Sequence, residues 1–111
     1  MATFKMMQGD SYVVPIDLEQ SGVNLTPEMI SDIEVCVGEN LRKTYSDGGV
    51  GYDAANQRWY IRPTQEETLA LAADGHEVIV RVKYRNTPVA DVKGISVGKI
   101  IISETLSKEV I

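Results

Sequence analysis

The sequence predicts an all-β chain folded as an antiparallel β-sandwich of about seven to nine strands with one or two short helical turns. Three observations carry that expectation. Segments alternating apolar and polar residues recur along the chain, and turn signals separate them at roughly 8–12 residue intervals. The third is the lack of a sustained strand–helix alternation, which an open parallel sheet would need.

Residues 3–7 read as a first short strand and 11–18 as a second, with Gly9-Asp10 between them. In the second, Tyr12, Val14, Ile16 and Leu18 share one face. Pro15 has no N–H for a ladder, so this strand is expected at an edge or a bulge. Gly22 marks a loop. Thr26-Pro27-Glu28 reads as the start of a turn or two of helix, with Thr26 as cap and Pro27 at the first helical position. Ile33, Val35 and Val37 then alternate with Asp32, Glu34 and Cys36 as a half-buried strand.

Residues 41–45 are a further strand, Asp47-Gly48-Gly49 a turn, 50–52 a short strand and 57–62 a strand with aromatic weight. Thr64-Gln65-Glu66-Glu67 fits a capping box, which predicts a short helix over about residues 65–72. Residues 77–85 place Val78, Val80, Val82 and Tyr84 on one face and Glu77, Ile79, Arg81, Lys83 and Arg85 on the other. Asn86-Thr87-Pro88 turns the chain, 89–93 pairs back and 95–103 closes the fold.

With 111 residues and 12.2 kDa, a single domain spanning residues 1–111 is expected. Lys+Arg number 11 against Asp+Glu 16, a net charge of -5, which disfavours nonspecific nucleic-acid binding because that affinity comes mostly from phosphate neutralisation. No polybasic run suits an anionic membrane, no signal peptide is visible, and the run Ile100-Ile101-Ile102 is far too short to span a bilayer. One cysteine precludes an intramolecular disulfide and a CxxC metal framework, so no cofactor is expected.

Candidate chemistry is sparse. Asp10, Asp17, Asp47 and Asp53 lie near turns, yet no calcium-loop pattern joins them, and shaping turns accounts for them. Glu66 and Glu67 are neighbours on a helix and point about 100° apart, so capping explains them better than catalysis. His76 is expected as an exposed loop histidine without an oriented nucleophile. Cys36 reads as a partly buried strand residue rather than a reactive thiol or an interchain link. Trp59 belongs to the core. No catalytic residue is assigned, and the chain is not expected to be an enzyme.

The most informative feature is a set of cations and one ring on alternating positions. Arg58, Tyr60 and Arg62, with Arg81, Lys83 and Arg85, would form one basic aromatic stripe if their two strands share a sheet. That stripe is the candidate partner-binding surface, and charge reversal at Arg81 and Arg85 is expected to weaken assembly while leaving folding intact. The alternative is pairing of these cations with Glu34, Glu39 or Asp91 on neighbouring strands.

The order of segments also resembles a known family. Gly-Asp-Ser-Tyr is followed by Asp-Ile-Glu-Val-Cys-Val, Lys-Thr-Tyr and Gly-Val-Gly-Tyr-Asp, then Arg-Trp-Tyr-Ile-Arg-Pro and Thr-Gln-Glu-Glu-Thr-Leu-Ala-Leu. Val-Arg-Val-Lys-Tyr-Arg, Val-Gly-Lys-Ile-Ile-Ile-Ser and the tail Glu-Thr-Leu-Ser-Lys-Glu-Val-Ile complete it. Over nearly the whole chain this resembles the immunoglobulin-like N-terminal domain of baseplate upper proteins in phages and prophages of Gram-positive bacteria. The resemblance implies an immunoglobulin-like sandwich and a non-catalytic, tail- or baseplate-associated structural protein acting through protein–protein contacts. It implies a virion component made in the host cytoplasm, whose partners are other phage structural proteins or a second copy of the chain, with no nucleic acid or membrane. In the family, helical linkers and a module holding receptor-binding proteins follow the domain; here they do not follow the last strand, which points to a small accessory tail or head part. The alternative function is a carbohydrate or cell-surface recognition module using Tyr45, Tyr52 and Tyr60 as outward stacking surfaces.

Overall fold

Period-two alternation sends one side of each strand inward, and the chain assembles two main sheets around the residues so directed. The computed structural model describes residues 2–20, 22–85 and 92–111. Among these are ten strands: β1 (Ala2–Met7), β2 (Val14–Ile16), β3 (Glu19–Gln20), β4 (Val23–Asn24), β5 (Ile30–Val37), β6 (Leu41–Thr44), β7 (Val50–Asp53), β8 (Arg58–Ile61), β9 (Gly75–Tyr84) and β10 (Val92–Ser103). One short helix, α1 (Gln65–Ala70), and a 3-10 turn at Pro27–Met29 complete the elements.

The larger sheet has the order β1-β10-β9-β5-β6, and the smaller β2-β8-β7. β3 and β4 form a separate two-stranded hairpin. Among the described residues every pairing is antiparallel except β1 with β10, which run parallel from Ala2 opposite Gly98 to Met7 opposite Ser103. The expected antiparallel character holds for both sheets apart from this parallel edge.

One buried cluster joins the two sheets. Ile33, Val35 and Val37 of β5, Val78, Val80 and Val82 of β9, and Ile100 and Ile102 of β10 meet Val14 and Ile16 of β2, Val50 of β7, and Trp59 and Ile61 of β8. Trp59 is 1% exposed, its indole N–H donates to the Leu25 carbonyl at 2.9 Å, and Tyr45 and Tyr52 pack on its ring at centroid distances of 5.2 and 4.7 Å. The carbonyl matters because a buried indole N–H without an acceptor is costly.

The expected second strand shrinks to β2. Pro15 lies in its middle and, among the described residues, β2 pairs only with β8, so this strand is an edge of its sheet, in keeping with the missing N–H. Thr26 precedes the 3-10 turn but makes no side-chain cap bond, so the expected helix start reduces to that turn. At α1 the capping box is complete. The Thr64 hydroxyl accepts from the Glu67 N–H at 3.1 Å and the Glu67 carboxylate accepts from the Thr64 N–H at 2.8 Å. Buried Thr68 fastens α1 to the loop after β1, its hydroxyl accepting from the Gly9 N–H and donating to the Asp10 carbonyl.

The Asn86-Thr87-Pro88 turn and the start of the 89–93 strand lie outside the described residues. From Val92 onward the chain is one strand, not two, with its register shifting between Ser96 and Gly98. Gly98 has φ +153°, a conformation closed to most side chains, and the irregularity falls on it.

Candidate interaction surface

β8 and β9 are consecutive strands of the chain, yet α1 carries the backbone from the small sheet to the large one between them. Arg58, Tyr60 and Arg62 therefore cannot share a stripe with Arg81, Lys83 and Arg85. The single six-residue surface expected from the sequence is corrected to two separate groups.

On the small sheet, Arg58 is held by Asp17 through two bonds, Nε at 2.9 Å and Nη2 at 3.1 Å. Tyr60 is half-buried and lies over Gly51, where an added Cβ would come within 2.3 Å of the ring. Shallow depressions of about 540 and 630 Å³ flank Tyr60. Arg62 is exposed, just past the end of β8. Tyr45 and Tyr52 pack inward on Trp59, whereas Tyr60 alternates to the opposite face. The three rings do not form one outward platform.

On the large sheet, register places Glu34 opposite Arg81 on one side and Thr44 on the other. The Arg81 Nε donates to Glu34 Oε1 at 2.7 Å, and the Arg42 Nε donates to Oε2. The Glu34 side chain is only 12% exposed, while those of Arg42 and Arg81 are 62% and 58% exposed. Hydrogen bonds from Arg81, then Arg42, hold the Glu34 carboxyl at about 2. The pairing with Glu34 weighed from the sequence is thus present for Arg81. Glu39 has no ion pair among the described residues, and Asp91 lies outside them.

Lys83 faces Asp32 in the register but forms no ion pair among the described residues. Asp32 is occupied otherwise, accepting from the Ser46 N–H and hydroxyl at 3.0 and 2.9 Å and from the Ile33 N–H. Together Asp32, Glu34, Arg42, Thr44, Arg81, Lys83 and Val92 line a shallow depression of about 250 Å³. Arg85 follows the end of β9, its backbone N–H bonded to the Met29 carbonyl. Because Arg81 is a counter-ion of a shielded carboxylate, its charge reversal would set two carboxylates together, and a loss of stability is expected beside any loss of assembly.

Sequence reasoning missed Arg42. The signal lay in the β5–β6 hairpin: counting outward from the turn sets Arg42 opposite Cys36, on the Glu34 face. Cys36 is half-buried, and burial, then the nearby Glu34 charge, push its thiol up, away from a reactive thiolate. His76 falls at the start of β9, half-buried, its Nε2 2.8 Å from the Ala72 carbonyl, rather than in an exposed loop.

Asp10, Asp47 and Asp53 accept local backbone N–H groups from Met7, Gly49 and Ala55, which is turn chemistry, while Asp17 pairs with Arg58. Among the described residues no cluster of His, Cys, Asp and Glu could hold a metal ion. No helix among them is long and apolar enough to cross a membrane. Comparison with protein-family models, with curated proteins and with solved structures returns no match for this chain.

Proposed function

We propose that this chain is an immunoglobulin-like, non-catalytic structural protein of a phage or prophage, associated with the tail or baseplate, that works through protein–protein contacts. Strand connectivity carries the reading. With β2, β7 and β8 assigned as strands B, D and E, and β5, β6, β9 and β10 as C, C′, F and G, the strand orders are those an immunoglobulin sandwich would have, which supports the reading. Two departures accompany this assignment: the buried tryptophan sits on the E-equivalent strand, and there is no B–F disulfide, since Cys36 is the sole cysteine. The resemblance of the ordered segments to the baseplate domain supplies the phage context. Its most distinctive piece, the tryptophan strand leading into a Thr-capped acidic helix, corresponds to β8 and α1, which join the two sheets.

The test is induction of the host strain's prophage, purification of virions on a density gradient and mass spectrometry of the particles. The chain is expected in the virion fraction at a fixed ratio to a tail protein. Its absence from virions and from assembly intermediates would overturn the reading.

A further inference from the structure

We propose that the mouth formed by Arg42, Arg81 and Lys83 on the outer face of the large sheet recognises carboxylates, and that its occupant is an acidic segment of a partner protein. The proposal rests on the reading of this chain as a contact protein and gives that contact a chemistry.

Glu34 takes only the Nε–H of each arginine. The terminal amino groups of both guanidiniums have no hydrogen-bond partner among the described residues, and more than half of each side chain is exposed. A carboxylate nearly shielded from water thus fixes two guanidiniums by their inner edges and leaves their outer donors unengaged among the described residues, on two arginines that line the depression. Planar donor pairs of this kind match the two oxygens of a carboxylate. Lys83 adds a third cation with no ion pair among the described residues, and exposed Val92 lines the same depression, offering apolar contact beside the charges.

The charge balance favours an anion locally. Among the residues that line the depression, Arg42, Arg81 and Lys83 stand against Glu34 and Asp32, leaving one net positive charge on a chain of net charge -5, while Asp47 acts on Arg42 from beyond the lining. Glu34 is shared by the two arginines, whereas Asp32 keeps its charge on bonds from the neutral Ile33 and Ser46 donors, so the excess positive charge of the lining is a single one. A protein that repels polyanions overall and gathers fixed donors in one place selects for position as well as charge.

The probe is a fluorescein-labelled hexaglutamate peptide followed by anisotropy at low and at high salt, with inorganic phosphate as a competing arm. The full chain is expected to bind the peptide at low salt and to lose it as salt rises. Lys83→Gln, which leaves the Glu34 bonds intact, should weaken binding about threefold. Arg62→Gln, on the other sheet, should leave it unchanged. In an NMR titration of the wild-type chain, the side-chain Nε–H signals of Arg42 and Arg81 should shift first. Four results would overturn the proposal: no binding at low salt, equal loss in Arg62→Gln, peptide shifts centred elsewhere, or preference for phosphate over the peptide. Presence of the chain in virions is read independently, so a failed titration with the chain still in particles removes this site alone.

Discussion

Lys43 reaches from β6 to Glu67 in the first turn of α1, its Nζ 2.9 Å from Oε1, with the two side chains 15% and 29% exposed. Register sets Lys43 opposite Val35, on the core-facing side of the sheet, so its stem crosses the sandwich rim to reach the helix. The same carboxylate closes the capping box with Thr64. One acidic side chain therefore ties the edge of the large sheet to the helix that links the two sheets.

Removing that carboxylate should cost more than removing the cap alone. Thr64→Ala is expected to destabilise by about 1 kcal/mol and Glu67→Ala by about 1–2 kcal/mol, since the latter also frees Lys43. Urea denaturation measures both. Equal losses would mean that the Lys43 pair contributes nothing. Burial works to raise the Glu67 carboxyl, but the Lys43 and Thr64 hydrogen bonds prevail and hold it below its ordinary value. Its contribution is present above the unfolded value and is lost as pH falls.

Glu34 should dominate the acid limb. Its carboxyl titrates at about 2 in the folded chain against an ordinary 4.5, so the unfolded state binds the proton first. Stability from this group is full above pH 4.5 and declines as pH falls toward 2. Glu34→Gln should flatten the melting-temperature profile over that window and lower stability at neutral pH, where two arginines lose their counter-ion. An unchanged profile would show that the bonds from Arg42 and Arg81 do not persist in solution.

Trp59 is the sole tryptophan, so its fluorescence reports the core directly. A blue-shifted emission is expected in the native state and a red shift on unfolding. Trp59→Phe should cost about 2–4 kcal/mol through lost volume and an orphaned Leu25 carbonyl. A cost below about 1 kcal/mol would contradict the packing described.

Gly51 leaves room for the Tyr60 ring. Gly51→Ala puts a methyl group 2.3 Å from Tyr60 Cζ, so the ring must move, at an expected cost of about 1–2 kcal/mol. In a Tyr60→Ser background the same substitution should become neutral or stabilising, because alanine suits a strand better than glycine. A thermodynamic cycle over the four proteins tests this; simple additivity would refute it.

Much of this architecture was legible in the sequence. The β5 and β9 strands, the Asp47-Gly48-Gly49 turn, the capping box of α1 and the burial of Trp59 all follow from spacing and local chemistry. The β3–β4 hairpin was not legible, because two-residue strands carry too few positions for a period. The proposed surface was half legible: Arg81 and Lys83 stood out by alternation, while Arg42 joined them only through register.

The sequence by itself determined which residues alternate, where turns fall and which side chains seek the interior, because these depend on neighbours a few bonds away. Only the tertiary structure decided which strands lie together. β8 and β9 enter different sheets although only α1 and short turns separate them, and β1 finds β10 from the far end of the chain and runs parallel to it. Pairing of that kind is chosen by long-range burial and by the hydrogen-bond demands of whole strands, which no local pattern encodes. For the same reason the six-residue stripe divided in two, and Glu34 became the anchor of the arginines that remained on the large sheet.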